Sequence, residues 1–242
     1  MTQSPAPIHE AVREHYAKRA KTSSSCCGPS TLYDPALITD IPTEVASFTL
    51  GCGDPITVAA LQPGETVLDL GSGGGLDCFL AAKQVGPAGR VIGVDMTPEM
   101  LAKARANAVK LNAANVEFRE GYLENLPVAE ASVDVVISNC VINLSPDKPQ
   151  VFREIFRVLK PGGRLSVSDI VTHGPMNPLV AKGLEEWAAC VAGALDMADY
   201  TRGLAEAGFT DVLVRPKDNV NQVVAALPVG VPFSATVTGR KL

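Results

Sequence analysis

The stretch Thr66 to Gly75, T-V-L-D-L-G-S-G-G-G, narrows the possible folds of this 242-residue chain more than any other. Val67, Leu68 and Leu70 make an apolar run of the length a buried strand needs. The run breaks at Gly71, Ser72, Gly73, Gly74 and Gly75. The chain then restarts as Leu76-Asp77-Cys78-Phe79-Leu80-Ala81-Ala82, a helix-forming sequence. A strand that stops at glycines and continues as a helix is the phosphate- or nucleoside-binding turn of a doubly wound α/β domain. Glycines there let backbone N–H groups approach a ligand where a Cβ would collide.

The neighbours of the turn say which ligand. A pyrophosphate turn places a third glycine three residues after the second, and counted from Gly71 and Gly73 that position is Leu76. Asp69 lies two residues before Gly71. A carboxylate aimed at the ligand end of the strand repels a pyrophosphate and suits a cationic amino-acid group. Val91-Ile92-Gly93-Val94-Asp95 is a second apolar run, ending 24 positions after Gly71 in an acid that can take both ribose hydroxyls. The run V-L-D-L-G-S-G-G-G resembles the first motif of the S-adenosylmethionine-dependent methyltransferases, and the resemblance implies S-adenosylmethionine as the cofactor. A glycine-rich turn with no ligand is the rival reading, and Asp95 weighs against it.

Length allows one large α/β domain, and 46% hydrophobic residues can build a sizeable core. A net charge of −5 and a pI near 5.3 disfavour a nucleic-acid partner. Met1-Thr2-Gln3-Ser4-Pro5 lacks the basic and apolar regions of a signal peptide, and no apolar run approaches a membrane span. A cytoplasmic protein with reduced thiols, without membrane or nucleic-acid partners, is therefore expected. A monomer is expected too.

From Thr66 onward strands and helices alternate. Strands are expected at Thr66–Leu70, Arg90–Asp95, Val116–Glu120, Val133–Ser138 and Arg164–Asp169, with helices at Gly75–Val85, Pro98–Asn112 (capped by Thr97) and Lys148–Leu159. Further helices are expected at His9–Ala20, Pro55–Leu61, Leu179–Ala192 and Ala198–Ala207. Strands at Asp211–Val214 and Ala235–Gly239 would complete a mostly parallel, seven-stranded, doubly wound sheet with helices on both faces, the last strand as an antiparallel edge. Tyr122, Leu123 and Glu124 either flank an adenine or form a plain surface loop. Asp169 either lines the pocket or only caps. His9, His15 and His173 have no ligand spacing and read as ordinary surface residues; Trp187 reads as packing.

The six cysteines divide. Cys78 falls within the first helix among apolar neighbours, as a small core residue does. Cys26-Cys27 lies in a turn-rich polar stretch, either idle or in a redox or relay role. Cys52 between two glycines, Cys140 just past a strand and Cys190 on a later helix each fall where this fold puts its ligand face. Their spacings match no zinc finger. Three thiolates would form a soft, sulfur-only site selective for a soft centre, the alternative being three buried inert thiols.

Gly51-Cys52-Gly53, the run Ser138-Asn139-Cys140-Val141-Ile142-Asn143-Leu144-Ser145-Pro146-Asp147-Lys148, and Trp187 with Cys190-Val191-Ala192-Gly193-Ala194-Leu195 resemble the cysteine motifs of the arsenite methyltransferases of bacterial type. Asp95-Met96-Thr97 and Pro161-Gly162-Gly163 are similar to that family too. The resemblance implies a Rossmann-like methyltransferase in which Cys52, Cys140 and Cys190 hold trivalent arsenic, whose lone pair attacks the methyl carbon of S-adenosylmethionine. Protons leave only from the thiols, and rate rests on holding nucleophile and methyl close and aligned. It implies a cofactor site of Asp69, Gly71, Ser72, Gly73, Asp95, Met96, Tyr122, Leu123, Glu124 and Asn139. Arsenite or its thiol conjugates would be the substrate, and a thioredoxin- or glutathione-type reductant the co-substrate. Cys26 and Cys27 would deliver or bind arsenic, or pair with Cys52 in a disulfide. Residues 1–50 would be an N-terminal arm and 51–242 the methyltransferase domain, with a substrate-covering segment at about 174–208. The chain ends soon after the sheet, so the shorter bacterial form without a further C-terminal domain is expected. A methyltransferase acting on carbon or oxygen of a small organic substrate such as a quinone shares everything but the cysteines. A metalloid- or zinc-binding protein without turnover is the remaining alternative.

Overall fold

The apolar run at Thr66–Leu70 is strand β1 and lies in the middle of the sheet, buried along Val67–Leu70. The computed structural model describes residues 7–21, 33–46, 48, 51–176, 191, 193–217 and 229–242. Ahead of β1 come helices α1 (Pro7–Lys21), α2 (Pro35–Ile38), α3 (Thr43–Ala46) and α4 (Pro55–Ala59). After it follow α5 (Leu76–Val85), β2 (Arg90–Asp95), α6 (Pro98–Lys110), β3 (Val116–Glu120), β4 (Val133–Asn139) and a 3-10 turn, Ile142–Leu144. Then come α7 (Lys148–Val158), β5 (Leu159–Thr172), β6 (Leu195–Asp196), α8 (Met197–Glu206), β7 (Thr210–Pro216) and β8 (Phe233–Arg240).

The strand order is β3-β2-β1-β4-β5-β8-β7, with the two-residue β6 pairing β5. Strands β1 to β5 run parallel, and β8 runs antiparallel to both neighbours. The expected seven strands are present with β6 added. The last strand is not the edge. β8 is inserted between β5 and β7, where Ala235 and Val237 are buried, and β7 takes the edge with its residues alternately exposed. A local sequence pattern carries no record of which strand lies alongside, so the order of the last two was not readable.

Alternation along β1 sorts its side chains between two cores. Leu68 and Leu70 face the core under α7 and α8, with Phe152, Ile155, Tyr200 and Leu204. Val67 faces the other core, under α4, α5 and α6. Asp69 shares that second face, which decides its role below. On α7, Val151, Phe152, Ile155 and Val158 form one buried stripe. Tyr200 and Leu204 of α8 are fully buried there, with the Tyr200 and Phe152 rings 5.3 Å apart. Residues 197–206 of the expected substrate-covering segment therefore belong to this helical layer; residues 177–190 and 192 lie outside the described residues.

Helix starts follow their caps. Asp54 accepts from Ile56 N and Thr57 N, and Asp147 from Gln150 N. Thr97 caps α6 by position only, with no side-chain bond; its own N–H donates to Asp95. Strand β5 begins at Leu159, straight out of α7, and Leu159 pairs with Val133 while Arg164 pairs with Val135. Pro161-Gly162-Gly163 is thus looped out within one strand rather than separating helix from strand. Among the described residues, no helix is long and apolar enough to cross a membrane.

Candidate functional site

At the carboxyl end of β1 the chain turns through Gly71 and Gly73 with φ of +66° and +52°, a region that favours glycine. Gly71 N and Ser72 N both donate to Val94 O, which fixes the turn to β2. A Cβ on Gly71 would lie 2.3 Å from a methyl of Val141, so the backbone reaches its place only without a side chain. A cavity opens here, outside the ends of β1, β2, β3 and β4, where doubly wound sheets bind ligands. Gly71, Ser72 and Gly73 form its floor, Asp95, Met96 and Tyr122-Leu123-Glu124 one wall, and Asn139, Cys140 and Val141 another.

Asp95 is held by the turn itself. Its Oδ2 accepts from Gly73 N at 2.9 Å and its Oδ1 from Thr97 N at 2.8 Å. Burial raises its carboxyl above the usual range, against those bonds. Each oxygen keeps a lone pair for a further donor, as a ribose diol requires. Ser72 Oγ is buried at the cavity with no hydrogen-bond partner among the described residues. An orphaned hydroxyl, a glycine cradle and a carboxylate with acceptor capacity fit the nucleoside half of S-adenosylmethionine.

The acid that lines the cavity beside the glycine turn is not the one expected to face the cationic half. Asp69 is absent from the cavity lining: the pleat turns it under α5, where it accepts from Cys78 Sγ at 3.1 Å, and burial raises its carboxyl well above the usual range. The carboxylate that does face the cavity is Asp77, in the first turn of α5. Burial pushes its carboxyl up to about 6, opposed by bonds from Tyr33 OH at 2.9 Å and Asn139 Nδ2 at 3.2 Å. Cys78 is fully buried, and burial followed by the Asp69 charge raises its thiol, so it is inert rather than merely small. Asp169 also stands off the cavity, buried within β5, and desolvation pushes its carboxyl up to about 7 despite the nearby Lys148.

Two of the three expected thiols meet. Cys52 and Cys140, 88 positions apart, are joined in a disulfide with Cα atoms 5.9 Å apart. Cys140 lines the cavity, with φ at +60°. Its N–H donates to Ser168 O at 2.8 Å, and Cys52 Sγ lies 3.7 Å from the same oxygen. Cys190, Cys26, Cys27 and Trp187 lie outside the described residues. Cys52 is here paired with Cys140; the alternatives for Cys26 and Cys27, arsenic delivery or a disulfide with Cys52, fall outside the described residues. Among the described residues, no group of three or more His, Cys, Asp or Glu could hold a metal ion.

Helix α1 roofs the cavity, which the sequence did not reveal. His9, Val12 and Tyr16 line it from above. Val12 packs against Cys140 and Leu144, and His9 Nε2 lies 3.0 Å from Glu124 Oε1, its ring centroid 5.0 Å from that of Tyr122. His9 is thus part of the site rather than an ordinary surface residue. Nothing local marks a histidine whose partners lie over a hundred positions away. Asp77 could have been found, since an acid in a helical first turn beside a glycine turn sits next to the ligand by construction.

A family model described as a methyltransferase domain matches residues 61–208. An arsenite methyltransferase of Halobacterium salinarum is 46% identical, over 92% of this chain and 62% of its own length. One from Aquipseudomonas alcaligenes is 42% identical, over 84% of this chain and 62% of its own. The crystal structure of an arsenic(III) S-adenosylmethionine methyltransferase from Chlamydomonas reinhardtii superposes with a TM-score of 0.70 at 37% identity, over 85% of this chain and 71% of that one. The chain spans about three fifths of the length of the curated relatives it matches, microbial ones included.

Proposed function

The chain belongs to the methyltransferase-domain family, among the arsenite methyltransferases, and from that premise we propose that it methylates trivalent arsenic held by cysteine sulfur. The observation that carries the reading is that Cys140, joined to Cys52, lines the same cavity as the glycine turn and Asp95. S-adenosylmethionine, when bound, supplies a sulfonium methyl open to displacement by the arsenic lone pair.

The chain's own residues do the rest. Gly71, Ser72 and Gly73 take the nucleoside against bare backbone, Asp95 takes the ribose hydroxyls, and Met96, Tyr122, Leu123 and Glu124 enclose the base. Asp77, in place of Asp69, faces the cationic end. Cys52, Cys140 and Cys190 are the arsenic ligands; each thiol that binds arsenite gives its proton to a departing hydroxide, which leaves as water. Helix α1 keeps solvent from the reacting atoms.

Joined as a disulfide, Cys52 and Cys140 have no thiols to offer. Opening the bond takes two electrons and two protons, which a thioredoxin- or glutathione-type dithiol or thiol pair supplies while forming its own disulfide. This supports a reductant as co-substrate. The bond departs from the reduced thiols expected of a cytoplasmic chain, and it is compatible with that location as a transient bond opened in turnover, the form that cytosolic disulfides usually take. The net charge of −5 supports the absence of a nucleic-acid partner. The monomeric state, the delivery role of Cys26 and Cys27, and the division at residue 50 belong to the same proposal.

The test is turnover of arsenite with S-adenosylmethionine and a thiol reductant, with arsenic species separated. Methylated arsenic is expected together with S-adenosylhomocysteine, and Cys140→Ser is expected to abolish it. Methylation that survives Cys140→Ser would sink the proposal. So would failure of the unmutated chain to methylate arsenite while it binds S-adenosylmethionine, which would point to an organic substrate instead.

A further inference from the structure

We infer that Asn139 is a positioning residue for Cys52, not a ligand of the methyl donor. It is the last residue of β4, directly before Cys140, and its amide is folded onto the Gly51-Cys52-Gly53 loop. Oδ1 accepts from Cys52 N at 2.9 Å and from Gly53 N at 3.2 Å. Nδ2 donates to Gly53 O at 2.8 Å and reaches Tyr33 OH at 3.1 Å and Asp77 Oδ2 at 3.2 Å. A side-chain amide has two donor hydrogens and two acceptor lone pairs. Here all are taken by the protein, so none is left for a ligand although Asn139 borders the cavity.

The loop is shaped to receive this amide. A Cβ on Gly51 would lie 2.3 Å from Asn139 Cγ, and a Cβ on Gly53 would lie 2.6 Å from Ser168 Oγ. Both glycines around Cys52 are therefore there for close approach to the ends of β4 and β5. One residue thus sets both sulfurs: Asn139 clamps the backbone of Cys52, and Cys140 follows it in the chain. Ser234 Oγ also donates to Cys52 O at 2.9 Å, so the loop keeps an anchor when the amide is removed.

The inference rests on the reading of Cys52 as an arsenic ligand, and its test separates the two. In the 242-residue chain with Cys26, Cys27 and Cys190 replaced by Ser, the Cys52–Cys140 bond is equilibrated against reduced and oxidised glutathione. Two glutathione thiols are oxidised for each protein disulfide opened. Asn139→Ala is expected to lower the equilibrium constant for the protein disulfide about tenfold, the size of one or two lost hydrogen bonds. Binding of S-adenosylhomocysteine, measured by calorimetry at pH 8 so that Asp77 stays ionised without the amide bond, is expected to stay within about twofold, because no hydrogen bond to that ligand is removed. A fall in S-adenosylhomocysteine affinity, with or without a change in the thiol equilibrium, overturns the inference, and so does no change in either. Should Asn139→Ala not fold, Asn139→Ser carries the same decision: it keeps a small polar group but loses the amide that spans Cys52 N, Gly53 N and Gly53 O, and it adds no charge beside Asp77. Arsenite methylation by the unmutated chain is measured alongside. Its absence would overturn the functional reading, while the thiol equilibrium would still decide the role of Asn139.

Discussion

His9 on α1 and Glu124 after β3 meet across the mouth of the cavity, Nε2 to Oε1 at 3.0 Å, with both side chains largely buried. Glu124 also accepts from Ser145 Oγ. Burial would raise the Glu124 carboxyl, but the bonds from His9 and Ser145 outweigh it and hold it below the usual range. The contact ties the roof of the cavity to the wall assigned to the adenine. His9→Ala is expected to loosen α1 and raise KM for S-adenosylmethionine about fivefold, roughly 1 kcal/mol, with kcat little changed. Steady-state kinetics with the methyl donor varied would show this; an unchanged KM would mean that the roof does not hold the donor.

Asp77 makes donor binding pH-dependent. With its carboxyl pushed up to about 6 by burial, it is ionised above that pH and neutral below. A cationic ligand prefers the ionised form, so affinity falls as pH drops through 6, by about tenfold per unit until the complex itself titrates. Calorimetric titration from pH 7.5 to 5 should show the loss, and Asp77→Asn should flatten the profile at the weak level. A flat profile in the unmutated chain would place the cation elsewhere.

Gly71→Ala combines a left-handed backbone with a Cβ 2.3 Å from Val141, and is expected to cost about 1–3 kcal/mol of stability and most donor affinity. Gly64→Ala is the control. It too has positive φ, +87°, but nothing within 4 Å of its Cβ, so thermal melts should show a smaller loss and calorimetry an unchanged donor affinity. Equal effects on binding would separate the glycine turn from the ligand.

Reduction should soften the fold. The Cys52–Cys140 bond closes a loop of 88 positions, and opening such a loop costs roughly 2–4 kcal/mol. At about 2–4 °C per kcal/mol for a chain of this size, the reduced protein should melt roughly 4–16 °C lower. Arsenite added to the reduced protein is expected to bridge the two sulfurs, close the same loop and restore most of the loss. Cys140→Ser should melt like the reduced form and not respond to arsenite.

The limits of β1, β2 and β3 were readable to the residue, because buried parallel strands are short apolar runs cut off by turn chemistry. Cys52 and Cys140 were singled out by their flanks, but the bond between them was not foreseen: it depends on how β4 and the loop before α4 pack, which no spacing records. Asp69 stays out of the cavity lining for a geometric reason. It lies in the right strand, but the pleat sends it beneath α5, and the acid one helical turn onward reaches the cavity instead. His9 and the position of β8 were hidden for a common reason, since both are set by long-range neighbours and leave no local pattern.

The close fit of Asn139 against Gly51, and of Ser168 against Gly53, bears on how this chain can change over generations. A methyl group added at Gly51 meets the amide that holds the loop, one added at Gly53 meets the Ser168 side chain on β5, and a larger group at Asn139 meets the bare backbone of Gly51. No one of these positions can drift alone without displacing Cys52. Residues about ninety or more positions apart should therefore be inherited as a set, changing together or not at all.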